Sequence, residues 1–179
     1  MKRPFQKYAA LLAALCLCFL YPAGCDMYGY GTIGGAGENV PGVLPGRLYG
    51  QWVYAGERYT ISAGSIIDTI KYEYTGGASS PFDFEGTIAF VSNYNDSSGV
   101  IIVEYNVQRP TYPLHNGNFY GAVYYRYLTA SSVKLANAIN LADMSAPDTV
   151  TFSEAVTKFN RNNQGSFVNW GNVQPQRKQ

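Results

Sequence analysis

The chain has little cysteine, histidine and charge for its 179 residues. Its three cysteines all lie within the first 25 positions, and it contains a single histidine. Charged residues make up 14% of the sequence, with thirteen Lys and Arg against twelve Asp and Glu. This balance lacks the excess of basic charge with which proteins attract phosphate backbones. Nucleic acid is therefore excluded as an expected partner.

Catalytic and metal-binding motifs are also missing from the sequence. The lone His115 lies in a loop that contains Pro and Gly, where a solvated side chain is expected, and no His-Glu-x-x-His, Gly-x-Ser-x-Gly or P-loop spacing occurs. Asp83 and Glu85 alternate with phenylalanines, which predicts that both carboxylates lie on the solvent-facing side of a strand instead of flanking a glycosidic bond. We expect no enzymatic activity, no metal and no cofactor.

The N-terminus is basic and then apolar, which is the layout of a secretory signal. Three basic residues occur in the first seven positions, and an uncharged run follows over residues 8–21. A run of about 14 residues is shorter than the roughly 20 that a membrane-spanning helix needs. The small residues Ala23 and Gly24 before Cys25 resemble the signal of a bacterial lipoprotein. That resemblance implies removal of residues 1–24 and attachment of a diacylglyceryl group to the Cys25 thiol.

The same resemblance implies a protein exported to the bacterial cell envelope and held at a membrane by the lipid on Cys25. The outer membrane or cell surface is favoured over the inner membrane. Without residues 1–24 the chain keeps ten basic and twelve acidic residues, a net charge of −2. Cys16 and Cys18 leave with the signal, so no free thiol remains for a disulfide or a nucleophile. The alternative is an ordinary signal peptide or a buried helix, with Cys25 incidental.

A segment rich in glycine and proline follows the cysteine. Residues 26–46 contain seven glycines and two prolines, a composition that sustains neither a helix nor a paired strand. We interpret residues 25–46 as the lipidated cysteine and a flexible tether. An irregular segment packed across the domain is the alternative.

From residue 47 to residue 173, apolar and polar side chains alternate with a period of two. This pattern, interrupted by turn-forming residues, predicts about eight antiparallel strands in sequence order, closed into an up-and-down β-barrel. Thr151 and Glu154 fit a capping box that starts one C-terminal α-helix. A return of Phe167, Val168 and Trp170 as a final strand is left open. Residues 174–179 are interpreted as a polar tail outside the barrel.

The Gly50-Gln51-Trp52 triplet in the first strand, the run of strands and the late helix resemble the calycin group, which includes the lipocalins. The similarity extends from Arg47 to Trp170. It implies that Trp52 lies at the closed end of the barrel, with an arginine, Arg126 or Arg161, packed over its ring. It also implies that the mostly-β, lipocalin-like domain binds a small molecule inside the barrel.

The candidate binding residues are aromatic residues at strand positions that are predicted to face the interior of the barrel. Tyrosine combines apolar area with a hydroxyl, which suits a cavity holding a small apolar or amphipathic ligand. The alternative is a structural or adhesive surface protein, in which the same rings fill the barrel and the loops bind other proteins. The candidates are Trp52, Tyr72, Tyr74, Phe84, Phe90, Tyr105, Tyr125 and Tyr127.

The lipid anchor gives the first testable prediction. Acyl chains contribute about 0.8 kcal/mol per buried CH₂, so the chains of a lipoprotein hold it firmly at a membrane. We expect Cys25→Ala to move the protein from the detergent phase to the aqueous phase in a phase-partitioning assay, while Cys18→Ala leaves it in the detergent phase. Identical partitioning of the Cys25→Ala variant and the parent protein would contradict lipidation.

Overall fold

A computed structural model of the protein describes residues 39–75, 83–108 and 120–179. Cys25 and the signal-like N-terminus lie outside the described residues, as do His115 and most of the predicted tether. No helix within the described ranges is long and apolar enough to cross a bilayer.

Eight strands form one closed antiparallel barrel in sequence order, which confirms the predicted mostly-β architecture. Each strand pairs with the next one along the chain, and the last pairs with the first. The strands are β1 (Gly50–Tyr54), β2 (Glu57–Ser62), β3 (Thr69–Tyr74), β4 (Phe84–Asn95), β5 (Ser98–Gln108), β6 (Tyr120–Arg126), β7 (Ser132–Asn137) and β8 (Gln176–Lys178).

The two ends of the barrel differ. At one end, which we call the closed end, a 3-10 turn (Gly46–Leu48) lies against the barrel, and Leu44 and Leu48 are buried in its interior core. The Arg47 guanidinium donates a hydrogen bond of 2.8 Å to the carbonyl of Asp96 in the β4–β5 turn. The opposite end, the open end, is formed by the last residues of β1, β3 and β7 and the first residues of β2 and β8.

Residues 39–46 lie against the barrel, which corrects the predicted boundary of the tether. The Gly42 N–H donates to the Val91 carbonyl at 2.8 Å, and the Asn93 side-chain amide donates to the Val43 carbonyl at 2.9 Å. Glycine and proline keep this stretch from forming regular secondary structure, and these hydrogen bonds give its backbone groups partners instead. The alternative of a packed irregular segment therefore describes this stretch.

Trp52 lies in the interior core and is fully buried. Its indole N–H donates to the Leu48 carbonyl at 2.7 Å, which ties β1 to the turn at the closed end. The Lys178 ammonium lies 5.3 Å from the centre of the Trp52 ring, within the range of a cation–π contact. The cation over this ring is therefore the lysine of β8 and not Arg126 or Arg161.

Strands β4, β5 and β6 are buried on both faces. Ile101 and Val103 of β5 belong to the interior core, while Val100 and Ile102 belong to a second cluster on the outer face of the barrel. Two helices cover the outer cluster, α1 (Phe152–Lys158) and α2 (Gln164–Phe167). The central parts of these strands are therefore apolar on both faces, while positions such as Glu85 and Glu104 remain polar and exposed.

The predicted C-terminal helix is confirmed as α1, and its capping box is present. The Glu154 N–H donates to the Thr151 hydroxyl oxygen at 3.2 Å, and the Thr151 N–H donates to the Glu154 carboxylate at 3.3 Å. Phe167 then belongs to α2 and Val168 follows it, so the strand left open for these residues does not form.

The final strand is β8, which lies inside the stretch predicted to be a polar tail. Gln176 is only 1% exposed, and its side chain bonds both backbone groups of Leu135. Its amide oxygen accepts from the Leu135 N–H at 2.7 Å, and its amide nitrogen donates to the Leu135 carbonyl at 3.2 Å. The domain therefore includes residues 174–179, because β8 closes the barrel between β7 and β1.

This closure yields the second prediction. Gln176→Ala leaves the Leu135 N–H and carbonyl buried without partners, and each such group costs about 1–3 kcal/mol. We expect the variant to lose at least about 2 kcal/mol of unfolding free energy in urea titrations. Arg177→Ala, at the adjacent exposed position, is the control and should change stability by less than about 0.5 kcal/mol. Equal stability of the two variants would show that this stretch is a tail.

Candidate functional site

Five of the eight aromatic candidates lie in the interior core of the barrel. They are Trp52, Tyr72, Phe84, Tyr105 and Tyr125. They form this core together with aliphatic side chains from β2 to β7 and from the residues just before β1 and after β6. The aliphatic members are Leu44, Leu48, Ile61, Ile70, Val91, Ile101, Val103, Val123, Leu128, Val133 and Leu135.

The hydroxyls of the core tyrosines have polar partners. Tyr105 donates to the Asp148 carboxylate at 3.1 Å, and Tyr125 donates to the Asn93 amide oxygen at 2.5 Å. A Cβ at Gly121 would lie 1.8 Å from the Tyr105 hydroxyl, so only glycine permits this approach. Tyrosine is therefore compatible with a packed core here, because burial leaves neither hydroxyl without a hydrogen bond.

Two candidates lie outside the barrel interior, which corrects their predicted placement. Phe90 belongs to the outer cluster, and its ring lies 6.1 Å from that of Phe152 in α1. The reason is a β-bulge at Ala89, which reverses the alternation between Ile88 and Phe90. Tyr127 follows the end of β6 and is 56% exposed, because the strand ends before the alternation reaches it.

A cavity of about 660 Å³ lies at the open end. One wall comes from β1, β2 and β3, and the other comes from β7, the residues after it, α2 and the segment leading to β8. The residues that line it are Tyr54, Ala55, Glu57, Tyr59, Tyr72, Tyr74, Leu135, Ala136, Asn137, Ile139, Leu141, Met144, Phe167, Val168, Asn169, Asn172, Val173 and Gln174. Of the predicted candidates, only Tyr72 and Tyr74 line this cavity.

Glu57 supplies a carboxylate to the cavity. It is the first residue of β2 and pairs with Tyr54 of β1 and Tyr74 of β3, so the three side chains share one face. The Tyr72 hydroxyl donates to its carboxylate at 3.4 Å. Burial raises the pKa of the Glu57 carboxyl above its ordinary value, while hydrogen bonds from Tyr72 and Gln176 act in the opposite direction. The Glu57 side chain is thus in an environment where desolvation disfavours its charged form.

A second layer of aromatic rings lies one step deeper than Glu57. Tyr59 pairs with Tyr72, and their ring centres are 4.7 Å apart. Burial, followed by the nearby Glu57 carboxylate, raises the pKa of Tyr72, and burial also raises that of Tyr59. Both phenols are therefore neutral at physiological pH and are available as hydrogen-bonding groups beside an apolar wall.

Asp83 is buried, which corrects its predicted position on the solvated face. Its carboxylate accepts a hydrogen bond of 2.7 Å from the Tyr74 N–H and contributes to the raised pKa of Tyr72. It immediately precedes β4, where the strand alternation does not yet apply. Glu85, two residues later, is exposed as predicted.

Sequence reasoning missed Glu57, Tyr54 and Tyr59 as site residues. The signal was present for Glu57, because it lies two positions before Tyr59 and four before Ile61, in phase with residues of the interior face. An acidic residue in phase with buried positions indicates a polar group inside or at the mouth of a barrel.

The site shows no arrangement typical of a metal centre. No cluster of three or more His, Cys, Asp or Glu side chains occurs in the part of the chain that the structure describes. The cavity lining there contains no serine, threonine, cysteine or histidine.

Comparison with known proteins returns no relative. No protein-family model matches the chain, and no curated protein or solved structure is significantly similar to it. The class of protein is therefore defined by the structure itself, an eight-stranded antiparallel β-barrel with a cavity at one end.

The partly buried charge of Glu57 gives the third prediction. A carboxyl group whose pKa is raised on folding destabilises the folded state at pH values where it is ionised in both the folded and the unfolded protein. We expect Glu57→Gln to increase the unfolding free energy at pH 7, with the gain shrinking towards zero as the pH falls below about 4. Urea titrations between pH 4 and pH 7 measure this difference.

Glu85→Gln is the matched control for this measurement, since it makes the same change at an exposed position of β4. It should show no comparable gain at pH 7. A Glu57→Gln variant that is less stable than the parent at pH 7 would mean that the hydrogen bonds to the carboxylate outweigh its desolvation.

Proposed function

We propose that the protein binds one small, largely apolar molecule in the open-end cavity, without catalysis. The observation that carries this proposal is the cavity itself, whose 660 Å³ lies within the roughly 300–1,000 Å³ typical of small-molecule sites. Aliphatic and aromatic side chains form most of its lining, and Glu57 and the tyrosine hydroxyls supply a few convergent polar groups. This combination is typical of a binding site for an amphipathic ligand.

The filled middle of the barrel limits where a ligand can bind. Trp52, Phe84 and Tyr125 occupy the interior together with the aliphatic core. A ligand therefore occupies the mouth, between the rings of β1–β3 and the segment that follows α2. A nucleophile with an adjacent base is absent from the described lining residues, which supports binding over catalysis.

We further propose that the domain acts at the bacterial cell envelope, held by a lipid on Cys25. The support for this part is the N-terminal sequence, in which a basic start and a short apolar run precede Ala23-Gly24-Cys25. A lipid anchor would keep the binding domain close to a membrane, where amphipathic molecules concentrate.

A structural or adhesive surface protein with protein-binding loops is the second candidate. The packed interior of the barrel favours it, because a core without space for a ligand serves stability alone. The open-end cavity supports ligand binding over this candidate, since a purely structural barrel has no need for a carboxylate in an apolar recess.

The fourth prediction tests binding in the cavity. In protein carrying Cys25→Ala, which removes the need for detergent, the neutral fluorescent probe N-phenyl-1-naphthylamine should bind saturably with one molecule per chain. Val173→Trp fills part of the cavity, and we expect it to weaken probe binding at least about tenfold. Fluorescence titration measures both quantities.

Val43→Trp is the control, because Val43 is 84% exposed and lies near the closed end. It adds the same side chain away from the cavity and should leave probe affinity unchanged. Absence of a saturable site in the parent protein, or equal affinity of the Val173→Trp variant, would contradict the proposal and favour the structural function.

A further inference from the structure

The cavity carries negative charge that no described cation balances. Glu57 is the sole charged residue among the described residues of its lining. An anionic ligand, such as a carboxylate or a phosphate ester, would meet like charge at the polar end of the cavity.

Among the described residues, no cationic side chain forms a salt bridge with Glu57. Within the described ranges the one salt bridge joins Lys71 and Glu73, at 2.9 Å. Both lie on β3 at positions that alternate with the inward-facing Ile70 and Tyr72, so they occupy the outer face. A partly desolvated carboxylate without a cation is unfavourable, and a positively charged ligand would supply the missing charge.

Four aromatic rings surround this carboxylate. We call Tyr54, Tyr59, Tyr72 and Tyr74 the cavity tyrosines; all four line the cavity together with Glu57. Tyr54 and Tyr74 flank Glu57 on the two neighbouring strands, and the other two form the layer beneath it. The face of an aromatic ring carries negative charge density and attracts cations, with quaternary ammonium groups as the best-known ligands of such aromatic sites.

We propose that the ligand is a small amphipathic amine, whose ammonium group binds at the Glu57 carboxylate among the cavity tyrosines. Its apolar part packs against the opposite wall, formed by Leu135, Val168 and Val173. This inference rests on the proposed binding function and names the chemical class of the ligand. The carboxylate supplies charge, the rings select a cation without requiring directed hydrogen bonds, and the aliphatic wall accepts the rest of the molecule.

The test compares three competitors of similar size for displacement of N-phenyl-1-naphthylamine. They are benzyltrimethylammonium, its neutral carbon isostere neopentylbenzene, and the anion benzenesulfonate. The quaternary nitrogen keeps its charge at every pH, so the comparison with the isostere isolates the effect of charge. We expect the ammonium compound to bind at least about tenfold more tightly than the isostere, and benzenesulfonate to bind more weakly than either.

Two variants identify the groups responsible. Glu57→Gln keeps the shape and removes the charge, so it should abolish most of the preference for the ammonium compound over neopentylbenzene. Glu85→Gln changes the net charge equally on the outer face and should leave the preference intact. Tyr54→Leu, at a position 43% exposed, should weaken binding of the ammonium compound more than binding of neopentylbenzene.

The outcomes separate this inference from the proposed function. Saturable probe binding without preference for the ammonium compound, or a preference that survives Glu57→Gln, would overturn the amine assignment and leave the binding function standing. Displacement by benzenesulfonate as strong as that by the ammonium compound would do the same. Absence of probe binding in the parent protein would overturn both.

Discussion

Two apolar clusters lie on opposite faces of β4, β5 and β6, and the single sheet between them is the constraint on which the rest of the structure depends. The inner cluster fills the barrel, and the outer one is covered by α1 and α2. Because Val100, Ile102 and Tyr124 are fully buried on the outer face, the helices cannot leave without exposing a large apolar area. Helix docking is therefore part of the fold and not an addition to a finished barrel.

This arrangement also positions the functional site. Phe167 and Val168 contribute to the outer cluster and at the same time line the cavity. One wall of the cavity is thus fixed by packing outside the barrel, while the opposite wall belongs to the β1–β3 sheet. Rigid elements on both sides favour a preformed site, which lowers the entropy lost on binding.

Two groups of tyrosines among the described residues differ in the polar partners that surround them. In the packed core, Tyr105 and Tyr125 each bond to a dedicated side chain, Asp148 or Asn93. At the cavity, the carboxylate of Glu57 receives a hydrogen bond of 3.4 Å from Tyr72 and no described cation. The hydroxyls of Tyr105 and Tyr125 are thus paired inside the core, whereas the Glu57 carboxylate at the open end keeps capacity for a further partner.

Period-two alternation predicted the barrel because most strands carry enough apolar residues to display it, and the capping box of Thr151 and Glu154 predicted α1. The position of Phe90 on the outer face could not be predicted, since nothing in the local sequence marks the extra residue of the bulge at Ala89. The strand β8 was equally hidden, because Gln-Arg-Lys contains no apolar residue. Its inward position is filled by Gln176, whose side chain forms hydrogen bonds with the backbone N–H and carbonyl of Leu135. Leu135 becomes a neighbour of Gln176 only in the folded protein, so the local sequence does not reveal this contact.

The shortness of β8 has a consequence for local stability. Only two residue pairs join it to β1 and two to β7, whereas the β4–β5 ladder is the longest in the barrel. A strand with so few ladder hydrogen bonds opens at a lower free-energy cost than the body of a sheet. We therefore expect the backbone amide hydrogens of β8 and its partners to exchange with solvent first. It also joins distant parts of the chain, as the bond between Lys178 and Arg47 spans 131 positions. We therefore expect ring closure to come late in folding, with β1 and β7 as open edges that can pair with another chain until it occurs.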